Sequence, residues 1–549
     1  MGMVSRVWMM VGGILAAFPA VQGADAPSAS SGPSPANVVV VANSREPDSE
    51  TIAHYYMQKR GIPDKNLIML DAPTDYDVSW SVFVEKVFNP LRVRLVADGW
   101  LSAYTTDLKD SEGRLRFVFY GNKIDFLVMC YGLPMRIIND PARLKPTALT
   151  EQHKELNTNQ AAVDSELSLL AALDTPIVGM VNNPLFNKLN PDPLTRSLVV
   201  KVARLDGPGI AAVKGMIDSA LTGETQGVQG RAYIDMGGPH EEGENWLRGA
   251  SAALHRLGFD TSEDHDPALM GWAQRFDAPA FYFGWYAGVP GGAIADPQLH
   301  FPPGAVAVHI YSFSADQIRN PVAHWAAPLI AHGVAATVGN VFEPYLTFTH
   351  HLDLFMEAIA AGKTVGEASY YALPALSWME VFIGDPLYRP LAAGLPGQLD
   401  QAVNSPGPYA TYAVIRQMNL LQNQGHPADA LVIGEKQFDQ HPDLPLAYAL
   451  AQLEHALDHD EHARQLLVWA TGVQTVPHED LGLLCEMARW AVEHGAPQTA
   501  LELYAKALAA PGAAPEFTKA ALTEAIALAK QTGADAARTI WEKQLSDLH

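Results

Sequence analysis

The chain has very little cysteine and few basic residues relative to acidic ones. Cysteine occurs only twice in 549 residues, at Cys130 and Cys485, which excludes a disulfide-rich secreted scaffold. Lys and Arg number 37 against 60 Asp and Glu, a formal net charge of −23. Nucleic acid and anionic lipid surfaces are both bound by clustered basic side chains, so neither is predicted as a partner.

Sequence signals for a metal, a nucleotide or a membrane span are also missing. No Cys/His cluster has the spacing of a zinc site, and neither a Walker loop nor a Gly-x-Gly-x-x-Gly segment occurs. No run after the first 23 residues approaches about 18 uninterrupted apolar residues. We therefore predict no metal, no cofactor and no membrane span in the mature chain.

The N-terminal end is typical of an exported protein. Arg6 precedes an apolar stretch over Val7–Phe18 that is too short to span a bilayer, and small residues precede Ala24. This pattern predicts a signal peptide over residues 1–23. Residues 24–36 are rich in Ser, Pro, Ala and Gly and are predicted to form a disordered leader. We expect the mature protein to be periplasmic or extracellular.

Buried strands that alternate with helices dominate residues 37–394. Short apolar runs predict strands at Asn37–Ala42, Leu67–Leu70, Ile124–Tyr131, Leu198–Leu205, Arg231–Asp235, Ala280–Tyr286, Ala305–Tyr311 and Val334–Val341. Helices are predicted between them, for example over Glu50–Arg60 with a cap at Asp48 or Ser49. Such alternation indicates a doubly wound α/β region with a parallel sheet, in two parts over residues 37–198 and 199–394.

After a predicted linker at residues 395–408, the pattern is helical throughout residues 409–549. Helix–turn–helix breaks occur near Gly425, Asp460, Gly495 and Gly533. Their spacing is close to the 34-residue tetratricopeptide period. The segment therefore resembles a divergent tetratricopeptide array, and helical repeats offer surfaces for protein partners.

Ligands of open α/β sheets bind beyond the carboxyl ends of the strands. The polar and aromatic residues that follow the predicted strands are therefore the candidates for a ligand pocket. They are Asn43, Ser44, Asp48, Tyr131, Arg136, Arg204, Asp206, Asp235, Trp285, Tyr286 and Glu343. Cys130 also ends a strand and is a candidate nucleophile. The alternative interpretation is that Cys130 is a small apolar residue of the core.

The order strand, helix, strand, helix and a final Gly384-Asp385-Pro386 resembles the C-terminal half of a gingipain-like, caspase-like cysteine protease. The resemblance implies a two-part caspase-like α/β domain. Ser312 and Ser314 stand where the catalytic Cys of that family would follow its strand. The preceding strand would deliver a His, usually within Gly-His-Gly, but the sequence there runs from Phe283 to Gly288 without one. We therefore expect the catalytic dyad to be missing.

A second resemblance covers most of residues 37–390. Several segments are similar to an uncharacterised family of exported bacterial proteins found with exosortase, a transpeptidase proposed to sort envelope proteins. They include Val41-Ala42-Asn43-Ser44, Tyr131-Gly132-Leu133-Pro134-Met135-Arg136, Arg204-Leu205-Asp206-Gly207-Pro208 and Tyr311-Ser312-Phe313-Ser314. This resemblance implies that the protein occurs in species that also carry exosortase, and it assigns no reaction.

These patterns together favour a non-catalytic protein. The predicted function is the binding of a peptide or an envelope polymer by the α/β region and of a protein partner by the helical repeats, in exosortase-linked envelope sorting or biogenesis. Two alternatives stay open at this point. One is a cysteine or serine hydrolase of the peptidase type with a rearranged site built on Cys130, Ser312 or Ser314. The other is a structural scaffold.

Overall fold

A computed structural model of the protein describes residues 32–145 and 148–548. The predicted signal peptide and the greater part of the predicted leader lie outside these residues. At the end of that leader the Ser34 amide donates a hydrogen bond to Asp125 (2.9 Å), and Pro35–Asn37 forms a 3-10 turn. The prediction of disorder is therefore wrong for residues 34–36.

The described residues form 17 strands. They are β1 (Val38–Asn43), β2 (Leu67–Leu70), β3 (Asp77–Val78), β4 (Leu101–Tyr104), β5 (Val118–Asn122), β6 (Phe126–Cys130), β7 (Arg136–Ile137), β8 (Ala161–Ala162), β9 (Val181–Asn182), β10 (Val202–Leu205), β11 (Arg231–Asp235), β12 (Thr261–Asp264), β13 (Pro279–Trp285), β14 (Val306–Ile310), β15 (Ala336–Asn340), β16 (Ala375–Leu376) and β17 (Glu380–Gly384).

The α-helices of the α/β region connect these strands. They are α1 (Pro47–Arg60), α2 (Trp80–Phe83), α3 (Asn89–Ala97), α4 (Ala148–Gln152), α5 (Val163–Leu167), α6 (Pro193–Ser197), α7 (Ile210–Gln226), α8 (Glu241–Arg256), α9 (Ala326–Ala331), α10 (Leu352–Ala360) and α11 (Val365–Ala372). A π-helical turn, Val84–Phe88, joins α2 to α3.

The C-terminal region is entirely helical. Its helices are α12 (Leu395–Asn404), α13 (Thr411–Asn423), α14 (Pro427–Gln440), α15 (Leu444–Ala456), α16 (Asp460–Gly472), α17 (Leu481–Glu493), α18 (Pro497–Ala509), α19 (Pro515–Thr532) and α20 (Asp535–Asp547). Most of the predicted linker, residues 395–408, is therefore helix α12. The prediction of an α/β region followed by an all-α region is confirmed.

One ten-stranded sheet runs through the α/β region, in the order β12-β11-β13-β14-β15-β17-β10-β6-β1-β2. The pairs β1–β2, β1–β6 and β6–β10 are parallel, as are β11–β12, β11–β13 and β13–β14. β17 runs antiparallel to β15, from Asn340 opposite Glu380 to Ala336 opposite Gly384. β17 also pairs in parallel with β10, where Ile383 lies opposite Arg204, so the predicted parallel sheet is mixed at the β15–β17 pair.

The strands form where the sequence has continuous apolar runs. Every residue of β1, β6, β13 and β14 is buried, as expected for strands that are covered on both faces. Helix α1 begins at Pro47 and is capped by Glu46, whereas Asp48 or Ser49 was predicted to cap a helix beginning at Glu50. It ends at Gly61, whose φ of 65° favours glycine.

The helical region packs directly on the α/β region. The Tyr412 hydroxyl on α13 donates to Asp277 (2.5 Å), and Arg416 on the same helix donates to the Leu257 carbonyl (2.7 Å). On α17, a Cβ at Gly482 would overlap the carbonyl oxygen of Gln274. These contacts seat α13 and α17 against the ends of β13 and α8.

Candidate functional site

The segments that follow the carboxyl ends of β6, β10 and β14 meet at one place beside the sheet. Asp206 follows β10 and is fully buried. Arg319, in the loop that follows β14, donates to both of its carboxylate oxygens (3.0 and 2.6 Å). The same guanidinium also donates to the Leu133 carbonyl, just beyond β6 (3.0 Å). Asp206 was among the ligand-pocket residues predicted from the sequence, and it lies here, buried beneath Arg319.

We call the residues gathered here the carboxyl-edge site. It consists of Asp77, Tyr131, Arg136, Arg204, Asp206, Tyr286, Tyr311, Ser312, Asp316, Arg319 and His324. Five of these, Tyr131, Arg136, Arg204, Asp206 and Tyr286, are among the ligand-pocket residues predicted from the sequence.

Arg204 lies beneath the site and supports it. Its guanidinium pairs with Asp164 (2.9 Å from Nε) and lies 3.5 Å from Asp206. It also donates to the carbonyls of Leu133 and Pro134 (3.3 and 2.9 Å). Burial lowers the pKa of Arg204, but the two carboxylates raise it by more. Since no part of Arg204 reaches solvent, the side chain holds the loop after β6 in place.

Arg136 lies at the rim of the site. It donates to both oxygens of Asp77 (2.6 and 2.9 Å), and its guanidinium lies over the rings of Tyr76 and Phe342 at 5.5 and 5.3 Å. A second carboxylate, Asp316, is 3.9 Å away. About a fifth of the Arg136 side chain is exposed. The group is positioned by its neighbours and is still accessible to a ligand.

A histidine and a carboxylate form a pair beside Arg136. His324 Nε2 lies 3.2 Å from Asp316, and His324 Nδ1 lies 3.3 Å from the Gly288 carbonyl. The imidazole stacks on the Tyr311 ring (5.8 Å, 21°). Burial raises the pKa of Asp316, although His324 and Arg136 oppose this shift. His324 has a φ of 48°, which is uncommon for a residue other than glycine.

The side chains of Trp285 and Tyr286 lie in different environments, one buried and one exposed. Trp285 is buried, donates from Nε1 to Glu244 (2.7 Å), and packs where side chains at Gly238 and Gly243 would overlap its indole. Tyr286 is 46% exposed and meets Tyr311 edge to face (6.5 Å). Of this predicted pair, only Tyr286 contributes to the carboxyl-edge site.

The candidate nucleophiles lack a base among the described residues. Cys130 is fully buried, and that burial raises the pKa of its thiol, so the thiol stays protonated. Ser314 is also buried, and its hydroxyl accepts a hydrogen bond from the Asn340 amide (3.0 Å). Within the described part of the chain, no histidine or carboxylate hydrogen-bonds to Cys130, Ser312 or Ser314.

Asp235 belongs to a buried row beside the site. Tyr282 donates to Asp235 (3.0 Å) and contacts His309 Nδ1 (2.9 Å), and His309 Nε2 accepts from the Ala287 amide (3.0 Å). Burial raises the pKa of Asp235 to about 7 and lowers that of His309 well below its usual value. Trp325 stacks on His309 at 3.5 Å and covers the row.

The other predicted pocket residues have local roles. Asn43 is buried and donates to the carbonyls of Pro73 and Gly132 (3.1 and 2.9 Å), bracing the loop after β6. Ser44 donates to the Leu70 carbonyl (3.3 Å), and Glu343 accepts from the Tyr345 amide (3.0 Å). Asp48 is half-buried and, after burial and Asp206, helps to raise the pKa of Tyr131.

Sequence reasoning missed five members of the site: Asp77, Tyr311, Asp316, Arg319 and His324. Asp77 lies on the two-residue strand β3, which is too short to show a period, and the others lie in the loop after β14, where neither the helical nor the strand period indicates the direction of a side chain. The described residues contain no group of three or more His, Cys, Asp and Glu arranged to hold a metal ion. Nor do they include a helix long and apolar enough to cross a bilayer.

Comparison with known proteins adds no assignment. No protein-family model, no curated protein and no solved structure matches this chain.

Proposed function

We propose that this chain is an exported, non-catalytic caspase-like protein. In this proposal it binds a peptide or an envelope polymer at the carboxyl-edge site and a protein partner through its helical region. The role would lie in exosortase-linked envelope sorting or biogenesis, as the second resemblance implies. The observation that carries the proposal is that Cys130, Ser312 and Ser314 have no hydrogen-bonded base among the described residues.

Features of the α/β region support the caspase-like part of the proposal. β13, β14 and β15 follow one another in the sheet, and β17 ends at Gly384-Asp385-Pro386. Asp385 accepts hydrogen bonds from the Tyr56 hydroxyl (2.7 Å) and the Leu387 amide (3.0 Å). The Gly-Asp-Pro segment thus has a structural role, as its sequence indicates.

The surface of the carboxyl-edge site suits a binding role. Tyr286 offers an exposed ring beside Tyr311, and Arg136 offers a partly exposed guanidinium. Aromatic and Arg side chains are the groups that most often anchor a bound partner. Together they could contact an apolar and an anionic part of an extended ligand.

Chemical labelling and ligand binding test the α/β part of the proposal. In the folded full chain, iodoacetamide should leave Cys130 unmodified and a fluorophosphonate should leave Ser312 and Ser314 unmodified. Tyr286→Ala should weaken binding of a peptide or envelope-polymer ligand by roughly tenfold or more. Tyr104→Ala, which removes another exposed ring on β4, should leave that affinity unchanged. Rapid labelling of a native serine would contradict the proposal.

One observation favours the hydrolase alternative. The His324–Asp316 pair lies in the loop that also carries Ser312 and Ser314. Both His324 nitrogens, however, face acceptor oxygens, of Asp316 and of the Gly288 carbonyl, and neither nitrogen hydrogen-bonds to a serine of the described residues. If the protein is a hydrolase of this kind, Ser312→Ala and His324→Gln will each abolish hydrolysis of a casein or ester substrate.

The paired helices from α13 to α20 support the tetratricopeptide-like part of the proposal. Gly425, Gly495 and Gly533 have positive φ at helix ends, and α14 and α18 begin with proline. A groove of about 430 Å³ lies on α14, α15 and α16. Phe438 and Trp469 form its aromatic pair (4.9 Å), and its lining includes acidic residues but, among the described residues, no Lys or Arg.

A partner with a basic segment fits this acidic groove. Removing the helical region would expose the surface around Asp277 and Gln274, so a point variant gives the cleaner test. Trp469→Ala should lose a partner that the wild-type chain captures from envelope extract. Ile540→Ala, a change at an exposed residue of α20, should retain it. Capture that is identical in all three proteins would contradict the partner assignment.

A further inference from the structure

A second cavity lies where the helical region meets the segments on either side of β13. Its volume is about 420 Å³, within the range of small-molecule sites, which often lie between domains. Residues 272–276 and 293–300 form one wall. Residues 409, 477–482 and 517 form the other. The cavity is separate from the carboxyl-edge site and was not predicted from the sequence.

Aromatic rings form much of its lining. Trp272 and Phe276 come from the α/β side, and Tyr409 and Phe517 from the helical side. Phe276 and Phe517 are almost fully buried, at 6% and 4% exposure. Ring faces carry partial negative charge and attract cations that come within about 6 Å. The walls therefore favour an apolar body that bears a positive charge.

The charged groups of the cavity are acidic. Asp296 and Glu479 line it, and its described lining contains neither Lys nor Arg. The nearby guanidinium of Arg275 is already paired with Asp277 (2.6 Å) and lies 3.6 Å from Asp260. Burial raises the pKa of Glu479, and the charge of Asp277 raises it further. A bound cation would supply the positive charge that these groups lack.

His478 provides an unused polar atom at the same place. Its Nε2 lies 2.8 Å from Asp296, while its Nδ1 is buried and has no hydrogen-bond partner among the described residues. When the neutral ring donates from Nε2 to Asp296, Nδ1 carries the lone pair and accepts. A buried polar atom without a partner is unfavourable, and an N–H donor on a ligand would satisfy it.

We infer that this cavity binds a small organic cation, a primary ammonium group attached to an apolar body. The ammonium donates to His478 Nδ1 and to the Glu479 carboxylate. The body packs between the α/β rings, Trp272 and Phe276, and the helical rings, Tyr409 and Phe517. This inference is independent of the function proposed for the carboxyl-edge site.

Isothermal titration of the full chain with benzylamine and benzyl alcohol tests the inference. The two compounds have nearly the same shape and differ in charge. We expect benzylamine to bind at least about tenfold more tightly. Glu479→Gln should weaken benzylamine by about tenfold and leave benzyl alcohol unchanged. Glu502→Gln, on an exposed face of α18 outside the cavity, is the matched control and should bind like the wild type.

Three results would overturn the inference. They are equal affinity of the wild type for the two compounds, no binding of benzylamine up to roughly 10 mM, or unchanged benzylamine affinity in folded Glu479→Gln. If that variant does not fold, the comparison of the two compounds on the wild-type chain decides alone. His478→Phe gives a second readout, because removing the Nδ1 acceptor should also weaken benzylamine selectively.

Discussion

Arginine–carboxylate pairs of the α/β region differ sharply in how far they are exposed to water. Arg204 is fully buried between Asp164 and Asp206, and it donates to the Asp164 carboxylate and to the Pro134 carbonyl. Arg45 pairs with Asp71 just as closely, but both side chains are more than half exposed. Water can solvate Arg45 and Asp71 if their ion pair is broken, but it has no access to Arg204 and its buried carboxylates.

We predict that Arg204→Met destabilises the protein by about 3–5 kcal/mol, because it leaves the buried Asp164 carboxylate without its guanidinium partner. Urea unfolding followed by circular dichroism would measure the loss. Arg45→Met is the control, and its unfolding midpoint should match the wild type. Similar midpoints for both variants would show that the buried network contributes little to the stability of the fold.

How well the sequence predicted such residues depended on their position. Asp206 and Arg136 could be placed because each follows a strand whose apolar run is unmistakable. Arg319 and His324 could not be placed, because the sequence of a loop does not indicate where the chain turns back toward the sheet. Cys130 illustrates the converse: a strand end brought it to the right edge of the sheet, but its side chain is fully buried in the core.

At the scale of elements, strand positions were more predictable than strand directions. The runs that became β1, β6, β11, β13, β14 and β15 were all identified from continuous apolar residues. β17 was missed, because its five residues begin at Glu380 and follow the short β16 without a helix between them. The antiparallel direction of β17 relative to β15 is set by the path of the preceding chain, and the residues of the strand do not predict it.

Helix contacts also depend on single small residues. Gly482 lies in the first turn of α17, where a Cβ would overlap the Gln274 carbonyl oxygen. Gly215 lies within α7 with open space around it and an exposed surface. Both glycines reduce helix propensity, but only Gly482 allows a close approach of two backbones.

We predict opposite effects of alanine at these two positions. Gly215→Ala should stabilise the protein by about 0.5–1 kcal/mol through helix propensity. Gly482→Ala should destabilise it by about 1–3 kcal/mol, because α17 must move away from Gln274. Thermal unfolding of both variants measures the difference. A stabilised Gly482→Ala variant would mean that α17 does not pack closely on Gln274.

At the scale of the whole molecule, the two regions meet across an interface with an excess of acid. Burial raises the pKa values of Asp443, Glu479 and Asp480, all on the helical side. Burial also raises the pKa of Asp277, but Arg275 and Arg231 outweigh it and lower that pKa to about 2. The charge state of this interface therefore changes between mildly acidic and neutral pH.

Asp443 gives the cleanest test of this interface. Its carboxylate caps α15 by accepting from the Leu446 amide (2.9 Å) and lies 3.3 Å from the Thr411 hydroxyl. Burial raises its pKa to about 6. An acid whose folded pKa exceeds its unfolded value of about 4 binds more protons in the folded state. Its contribution to stability is therefore complete below pH 4 and is lost as pH rises through about 6.

We predict that Asp443→Asn removes this dependence and preserves the cap, since Asn is as good an N-cap as Asp. The free energy of unfolding of the variant relative to wild type should rise by roughly 2 kcal/mol between about pH 4 and pH 7, allowing for solvent screening. Urea unfolding at several pH values measures it, and the difference between the two proteins cancels the other titrating groups. A difference that is constant with pH would mean that Asp443 is solvated and that the helical region does not close over it. A difference that falls with pH would mean that the carboxylate has a cationic partner, and the acidic interface would then be fully compensated.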